Sequence, residues 1–136
     1  MKNSLTIAAA LMALAAPVFA EGDAANGEKE FRKCKSCHEI ASADESIVKG
    51  GKTGPNLFGV VGRTAGSVEG FRYGDDLVKA GEAGLVWDEA TLATYMEDPK
   101  AFLQETLDDG AAKSKMTFKL KKNTADVAAY LATFSE

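Results

Sequence analysis

The sequence predicts an all-α domain of short helices separated by long loops, and three observations carry that prediction. Apolar residues recur at helical spacing near both ends and in the middle of the chain. From residue 41 to residue 74 no such period persists, and seven glycines (50, 51, 54, 59, 62, 66 and 70) punctuate the stretch before Gly74. Ahead of that stretch stands Cys34-Lys35-Ser36-Cys37-His38, which reads C-x-x-C-H, the attachment signature of a c-type haem. Two thiols three positions apart on a helical turn share one face, where they can add to two vinyl groups along one side of a porphyrin. His38 then follows under the ring, an imidazole nitrogen aimed at the iron. The fold expected is short helices and long loops around one covalent haem c, held by two thioethers. Such a cofactor supplies apolar interior that a small domain lacks.

Other readings of the same five residues fit less well. Structural zinc needs four ligands, and the chain holds two Cys and one His in total. A redox-active C-x-x-C of the thioredoxin kind expects βαβ surroundings and has no use for the following His. A structural disulfide between residues three apart on a helix is geometrically awkward.

In chain order, residues 1–20 read as a cleaved signal peptide. Lys2 gives a positive start, residues 5–14 an apolar run, and Val18-Phe19-Ala20 a small-residue cleavage site. The run is too short for a permanent membrane helix. Residues 21–136 form one domain by length. The whole chain carries a formal charge of −4, and removal of Lys2 makes it one unit more negative. No nucleic acid is expected as a partner.

The first helix is expected to start with Asp23 or Asn26 as N-cap and to run through Gly27, Phe31 and Cys34. A glycine inside a helix costs about 1 kcal/mol relative to alanine, so Gly27 points to close approach by another helix. The expected partner is the last helix, capped by Asn123, with Val127, Tyr130, Leu131 and Phe134 at i, i+3, i+4, i+7. Irregular loops rather than a sheet are expected from 41 to 74, wrapping the haem edge. A short helix over 75–80, closed by Gly81, follows. Asp88 caps a clearer helix that Pro99 stops, with Leu92, Tyr95 and Met96 as its buried stripe. Pro99 then opens a further short helix through Phe102 and Leu103.

What fills the iron's second axial position decides the function. An open position admits oxygen, nitric oxide or peroxide, whereas a thioether closes it and raises the potential. His38 is the sole histidine, so two histidine ligands from one chain are impossible. Met116 and Met96 are the candidates after the leader. Met96 reads as a core gap-filler on its helix. Met116, in the polar segment Lys113-Ser114-Lys115-Met116-Thr117-Phe118, has no helical stripe to explain it and is preferred.

At this point the chain resembles the class I c-type cytochromes, in particular the cytochrome c2 and c550 group. Gly27 and Phe31, Cys34 to His38, Lys52-Thr53-Gly54-Pro55-Asn56-Leu57, Gly62-Arg63, Gly70-Phe71 with Tyr73, and Trp87 carry the resemblance. So do Tyr95, Asp98-Pro99-Lys100, Lys115-Met116-Thr117-Phe118 and Tyr130-Leu131. The resemblance implies the cytochrome c fold, with His38 and Met116 as axial ligands and Cys34 and Cys37 as thioether anchors. It implies that the Pro55 carbonyl takes the other imidazole N–H of His38, fixing tautomer and ring angle. Tyr73, Trp87 and Arg63 resemble the groups that satisfy the haem propionates; an unpaired buried carboxylate is very costly. Tyr95 is expected to offer its hydroxyl to the Met116 sulfur. Ser114 stands where the family often has a threonine near a propionate, and Phe118 belongs with the cofactor contacts. Residues 43–51 and 105–112 look like insertions relative to shorter members.

The expectation is a monomeric periplasmic one-electron carrier and no enzyme. The family implies a quinol:cytochrome c reductase as donor, and a reaction centre, a terminal oxidase or another periplasmic acceptor. Two other classes compete: a thiol–disulfide oxidoreductase, and a gas-binding haem protein with an open sixth site. The charge pattern adds a docking expectation. Residues 110–125 hold five lysines (113, 115, 119, 121 and 122) and no acid, while residues 82–109 hold eight acids against Lys100. With Lys35, those lysines are expected to form a basic ring that turns the haem edge toward an acidic membrane partner.

Overall fold

A computed structural model describes residues 22–135, and the leader expected at residues 1–20 lies outside the described residues. Helix α1, Ala24–Glu30, is capped by the Asp23 carboxylate, which accepts the Ala25 and Asn26 N–H groups at 2.9 and 3.3 Å. The helix tightens into a 3-10 turn, Phe31–Lys33, and hands over to Cys34, whose N–H donates to the Phe31 carbonyl at 2.8 Å. Helix α5, Thr124–Ala132, crosses α1 as expected. At the crossing Gly27 is buried, and a Cβ there would run into the Asp126 carbonyl. Phe31 and Tyr130 complete the contact with ring centroids 5.7 Å apart. Asn123 does occupy the N-cap position of α5, but in the left-handed region (φ 62°) and with no capping bond from its side chain. Its contribution is conformational, since Asn tolerates that region better than most residues.

The loop stretch needs one correction. A two-stranded antiparallel hairpin, β1 (Ile40–Ala41) with β2 (Ser46–Val48), lies within it. Ser42 builds the turn: its hydroxyl accepts the Asp44 and Glu45 N–H groups at 3.3 and 3.1 Å. Strands of two and three residues are too short to show an alternating pattern, so sequence periodicity is blind to them. The hairpin occupies most of residues 43–51, the stretch expected to be an insertion. A further isolated bridge joins Thr64 to Val86.

Helix α2, Asp75–Glu82, runs past its expected end. Gly81 lies inside it, pressed against the Ala65 carbonyl where no Cβ would fit, and the chain turns at Gly84 (φ 107°) instead. Helix α3, Glu89–Glu97, starts with a reciprocal cap: Asp88 accepts the Thr91 N–H at 2.7 Å while Thr91 accepts the Asp88 N–H at 2.9 Å. Asp98 then caps α4, Pro99–Thr106, with proline at its first position. Leu92, Tyr95 and Met96 are buried as the stripe predicts. One apolar core results, with α3 packed on α5 and α4 on α3. Among the described residues it contains no buried charged side chain.

Candidate functional site

The five residues of the C-x-x-C-H run close a tight turn at the end of α1. The Cys37 and His38 N–H groups both reach the Cys34 carbonyl, at 3.2 and 2.9 Å. A strap of chain after the hairpin then wraps the turn. Gly51 donates to the Lys35 carbonyl at 2.8 Å and Gly54 to the Cys37 carbonyl at 2.7 Å. Close approach is what demands glycine here: a Cβ on Gly50, Gly51 or Gly54 would meet the His38 carbonyl, the Ser36 carbonyl or the His38 ring. The strap delivers the Pro55 carbonyl to His38 Nδ1 at 2.8 Å. That bond is the one the resemblance implied. It makes Nδ1 the protonated nitrogen and leaves the Nε2 lone pair for a metal. Burial pulls the imidazole pKa down, the Pro55 bond pulls it back up, and the Arg63 charge lowers it again. The ring is therefore held neutral, as a ligand must be.

Cys34, Cys37 and His38 line a cavity of about 740 Å³. Pro55, Arg63, Tyr73, Trp87, Tyr95, Met116 and Phe118 line it as well. Ser114 does not. Its hydroxyl donates to the Met116 carbonyl at 2.8 Å, behind the cavity wall, and it sits beside the Tyr95 phenol. Burial pushes the Tyr95 pKa up, and the Ser114 hydroxyl offsets part of that rise.

Arg63 and Trp87 arrive side by side because their backbones pair. The Trp87 N–H donates to the Arg63 carbonyl at 2.9 Å, and the Gly62 N–H to the Trp87 carbonyl at 2.7 Å. The Arg63 guanidinium donates to the Asn56 and Phe58 carbonyls at 3.1 and 3.4 Å. Tyr73 accepts the Val68 N–H at 3.0 Å, so its own hydroxyl proton is free to donate. Trp87, Tyr95 and Phe102 also stack as an aromatic cluster, with centroids 5.0 to 5.9 Å apart. Trp87 and Tyr95 are core and cavity wall at once.

Several lining residues lay outside the predicted set, Val127, Leu131 and Met96 among them. Val127 and Leu131 read in the sequence as a helix-packing face, yet they also face the cavity; their i, i+4 spacing was the available signal. Met96 lines the cavity too, so two thioethers reach it. The charged lining residues are Lys33, Arg63, Arg72 and Lys115, with no acid among them. Of the expected docking lysines only Lys115 reaches the cavity; its Nζ donates to the Arg72 carbonyl at 3.2 Å. Lys35, Lys113, Lys119, Lys121 and Lys122 are exposed, and Lys119 pairs with Asp98 at 3.2 Å.

The residues fit a haem. Among the described residues no cluster of three or more His, Cys, Asp or Glu could hold a metal ion, so iron here needs ligands the chain does not supply. A porphyrin brings four. The cysteines are unpaired, and burial with the neighbouring Cys37 pushes the Cys34 thiol up to about 11. A catalytic redox thiol needs the opposite shift. An apolar slot with cationic and hydroxyl donors and no acid suits a flat ring carrying carboxylates.

Known proteins agree. No family model matches the chain, but individual relatives do. It is 60% identical to cytochrome c-551 of Roseobacter denitrificans over 136 residues, covering 99% of this chain and 97% of that one. It is also 60% identical to cytochrome c2 of Rhodobacter capsulatus over 135 residues, with 98% of each chain covered. Among solved structures, ferric cytochrome c-550 from Paracoccus versutus superposes with a TM-score of 0.82 at 60% identity, covering 85% of this chain and all of that one. Cytochrome c2 from Rhodobacter capsulatus superposes with a TM-score of 0.81, covering 82% of this chain and 97% of that one. The chain therefore belongs to the c-type cytochromes, in the cytochrome c2 and c-550 group of electron carriers, with one covalent haem c as its cofactor.

Proposed function

We propose that the chain is a soluble, monomeric periplasmic electron carrier whose haem is ligated by His38 and Met116. The observation that carries this reading is the placement of one oriented, neutral imidazole and the Met116 thioether on the same cavity as two unpaired thiols. When bound, the haem supplies a one-electron couple. The chain holds it through Cys34 and Cys37 and orients His38 through Pro55. Met116 would close the iron against outside ligands and shift the couple toward the reduced form. Arg63, Tyr73 and Trp87 would hold the propionates, and Phe118, partly exposed on the cavity lining, would contact the cofactor. Residues 1–20 act as the leader that takes the chain across the inner membrane. No helix among the described residues is long and apolar enough to cross a membrane.

Electrons would come from a quinol:cytochrome c reductase and go to a reaction centre, a terminal oxidase or another periplasmic acceptor. Lys35, Lys113, Lys115, Lys119, Lys121 and Lys122 would meet an acidic partner face. Support for this comes from the cavity lining, basic without any acid, and from the −7 local charge of residues 82–109. The test is electron transfer to membranes. Lys113→Glu with Lys121→Glu should slow it several-fold at low salt, and Lys29→Glu with Lys100→Glu should not. Equal slowing by both pairs, or no salt dependence, defeats the docking proposal. Rapid stoichiometric carbon monoxide binding by the reduced wild type would defeat the closed-iron reading.

A further inference from the structure

Met116 sits in the middle of residues 110–123, which contain no helix or strand. Buried Ala112 and Leu120 anchor the two ends, 1% and 3% exposed. Leu120 is also tied by its N–H to the Met96 carbonyl at 2.8 Å. Between these anchors, one backbone N–H reaches a side chain from a distant part of the fold. The Lys113 N–H donates to Asp76 Oδ2 at 2.7 Å, across 37 residues of sequence. Asp76 lies in the first turn of α2, its side chain only 16% exposed, and its other oxygen takes Lys79 Nζ at 3.4 Å. The Lys115 bond to the Arg72 carbonyl binds the same two segments four residues further back.

We infer that Asp76 is a positioning residue for the Met116 ligand, a latch that keeps the residue 113–118 loop closed over the cavity. The inference rests on the reading of Met116 as the sixth ligand. A helix fixes the carboxylate, and the carboxylate fixes a loop that has no backbone bonding of its own. Lys113 is three residues from the thioether, so freedom gained there passes directly to the sulfur. Without the latch the loop should open locally while the helices stay folded. The bonds from the Lys113 N–H and Lys79 hold the Asp76 carboxyl below the usual carboxylate range, consistent with a charged acceptor at working pH.

The experiment uses haem-loaded protein carrying Asp76→Ala, Asp76→Asn, Lys79→Ala or Met116→Ala. Three quantities are read: the weak far-red band that a thioether gives ferric haem, the carbon monoxide association rate of ferrous protein, and helix content in denaturant. Asp76→Ala should raise the carbon monoxide rate about tenfold, the low end of what a hydrogen bond to a charged group contributes. It should lose the far-red band at a denaturant concentration where the helices persist. Asp76→Asn keeps an acceptor oxygen and should recover part of both; Lys79→Ala should behave as wild type. The latch is refuted if Asp76→Ala leaves the carbon monoxide rate unchanged. It is equally refuted if the band and the helices vanish together, or if Lys79→Ala matches Asp76→Ala. Survival of the band in Met116→Ala would remove the ligand reading itself, and the latch with it. Loss of the band there, with a silent Asp76→Ala, would sink the latch alone.

Discussion

The two walls of the cavity are built by different means. The His38 wall is made of backbone: four main-chain bonds knit residues 34–38 to themselves and to the strap at Gly51 and Gly54, and a fifth bond ties the imidazole to a carbonyl. The Met116 wall has nothing comparable. Among the described residues, no backbone-to-backbone hydrogen bond involves residues 113–119. That segment is held by the Asp76 carboxylate, the Lys115 ammonium and the Ser114 hydroxyl. A wall built from main chain is hard to alter by point substitution, except where a glycine is replaced. A wall held by side chains can be loosened one contact at a time. On the ligation proposed above, one ligand would be held rigidly and the other adjustably.

The largest break in this contrast should come from Gly54→Val. Its side chain would enter the space of the His38 ring, and overpacking at such a site should cost about 3 kcal/mol. Denaturant unfolding of the haem-loaded protein measures it. A cost near zero would show that the strap yields and the His38 wall is soft as well.

Next in size is the paired test of the thioethers. Met96 is 7% exposed and packed in the core, so Met96→Leu, near its own volume, should cost less than about 1.5 kcal/mol and keep the far-red band. Met116→Ala should lose the band, bind carbon monoxide and lower the reduction potential. Reversed results would move the ligand from the loop to α3, and with it the contrast between the walls.

The smallest effect lies in the support of the His38 wall. Asp126 of α5 accepts the Asp23 N–H at 2.8 Å and the Asn26 side-chain amide at 2.6 Å, joining the start of α1 to α5. The Asn26 and Asp23 bonds lower its pKa below the usual carboxylate value. A carboxyl depressed on folding adds stability above its unfolded pKa, about 3.9. That contribution fades as the pH falls through the lower, folded value. Asp126→Ala should therefore be less stable than wild type at neutral pH, and the difference should shrink in acid. Thermal unfolding between neutral pH and about pH 3 reads this; a gap that is constant with pH would assign the loss to packing at the helix crossing instead.

The sequence by itself determined what depends on near neighbours. C-x-x-C-H is a local chemical unit, and the caps at Asp23, Asp88 and Asp98 act within three residues of themselves. The crossing of the end helices was also legible, because Gly27 and the stripe from Val127 leave their mark on each partner separately. Tertiary structure alone decided the rest. The hairpin was too short to print a period. Gly81 looked like a helix end until the Ala65 carbonyl beside it gave it another reason to be glycine. Ser114 turned to the Met116 carbonyl rather than to the cavity. Asp76 found the Lys113 N–H only across 37 residues. The physical reason is common to all four. Contacts between distant segments exist only after the chain has closed its loops, and their residues carry no local signature of the partner they will meet.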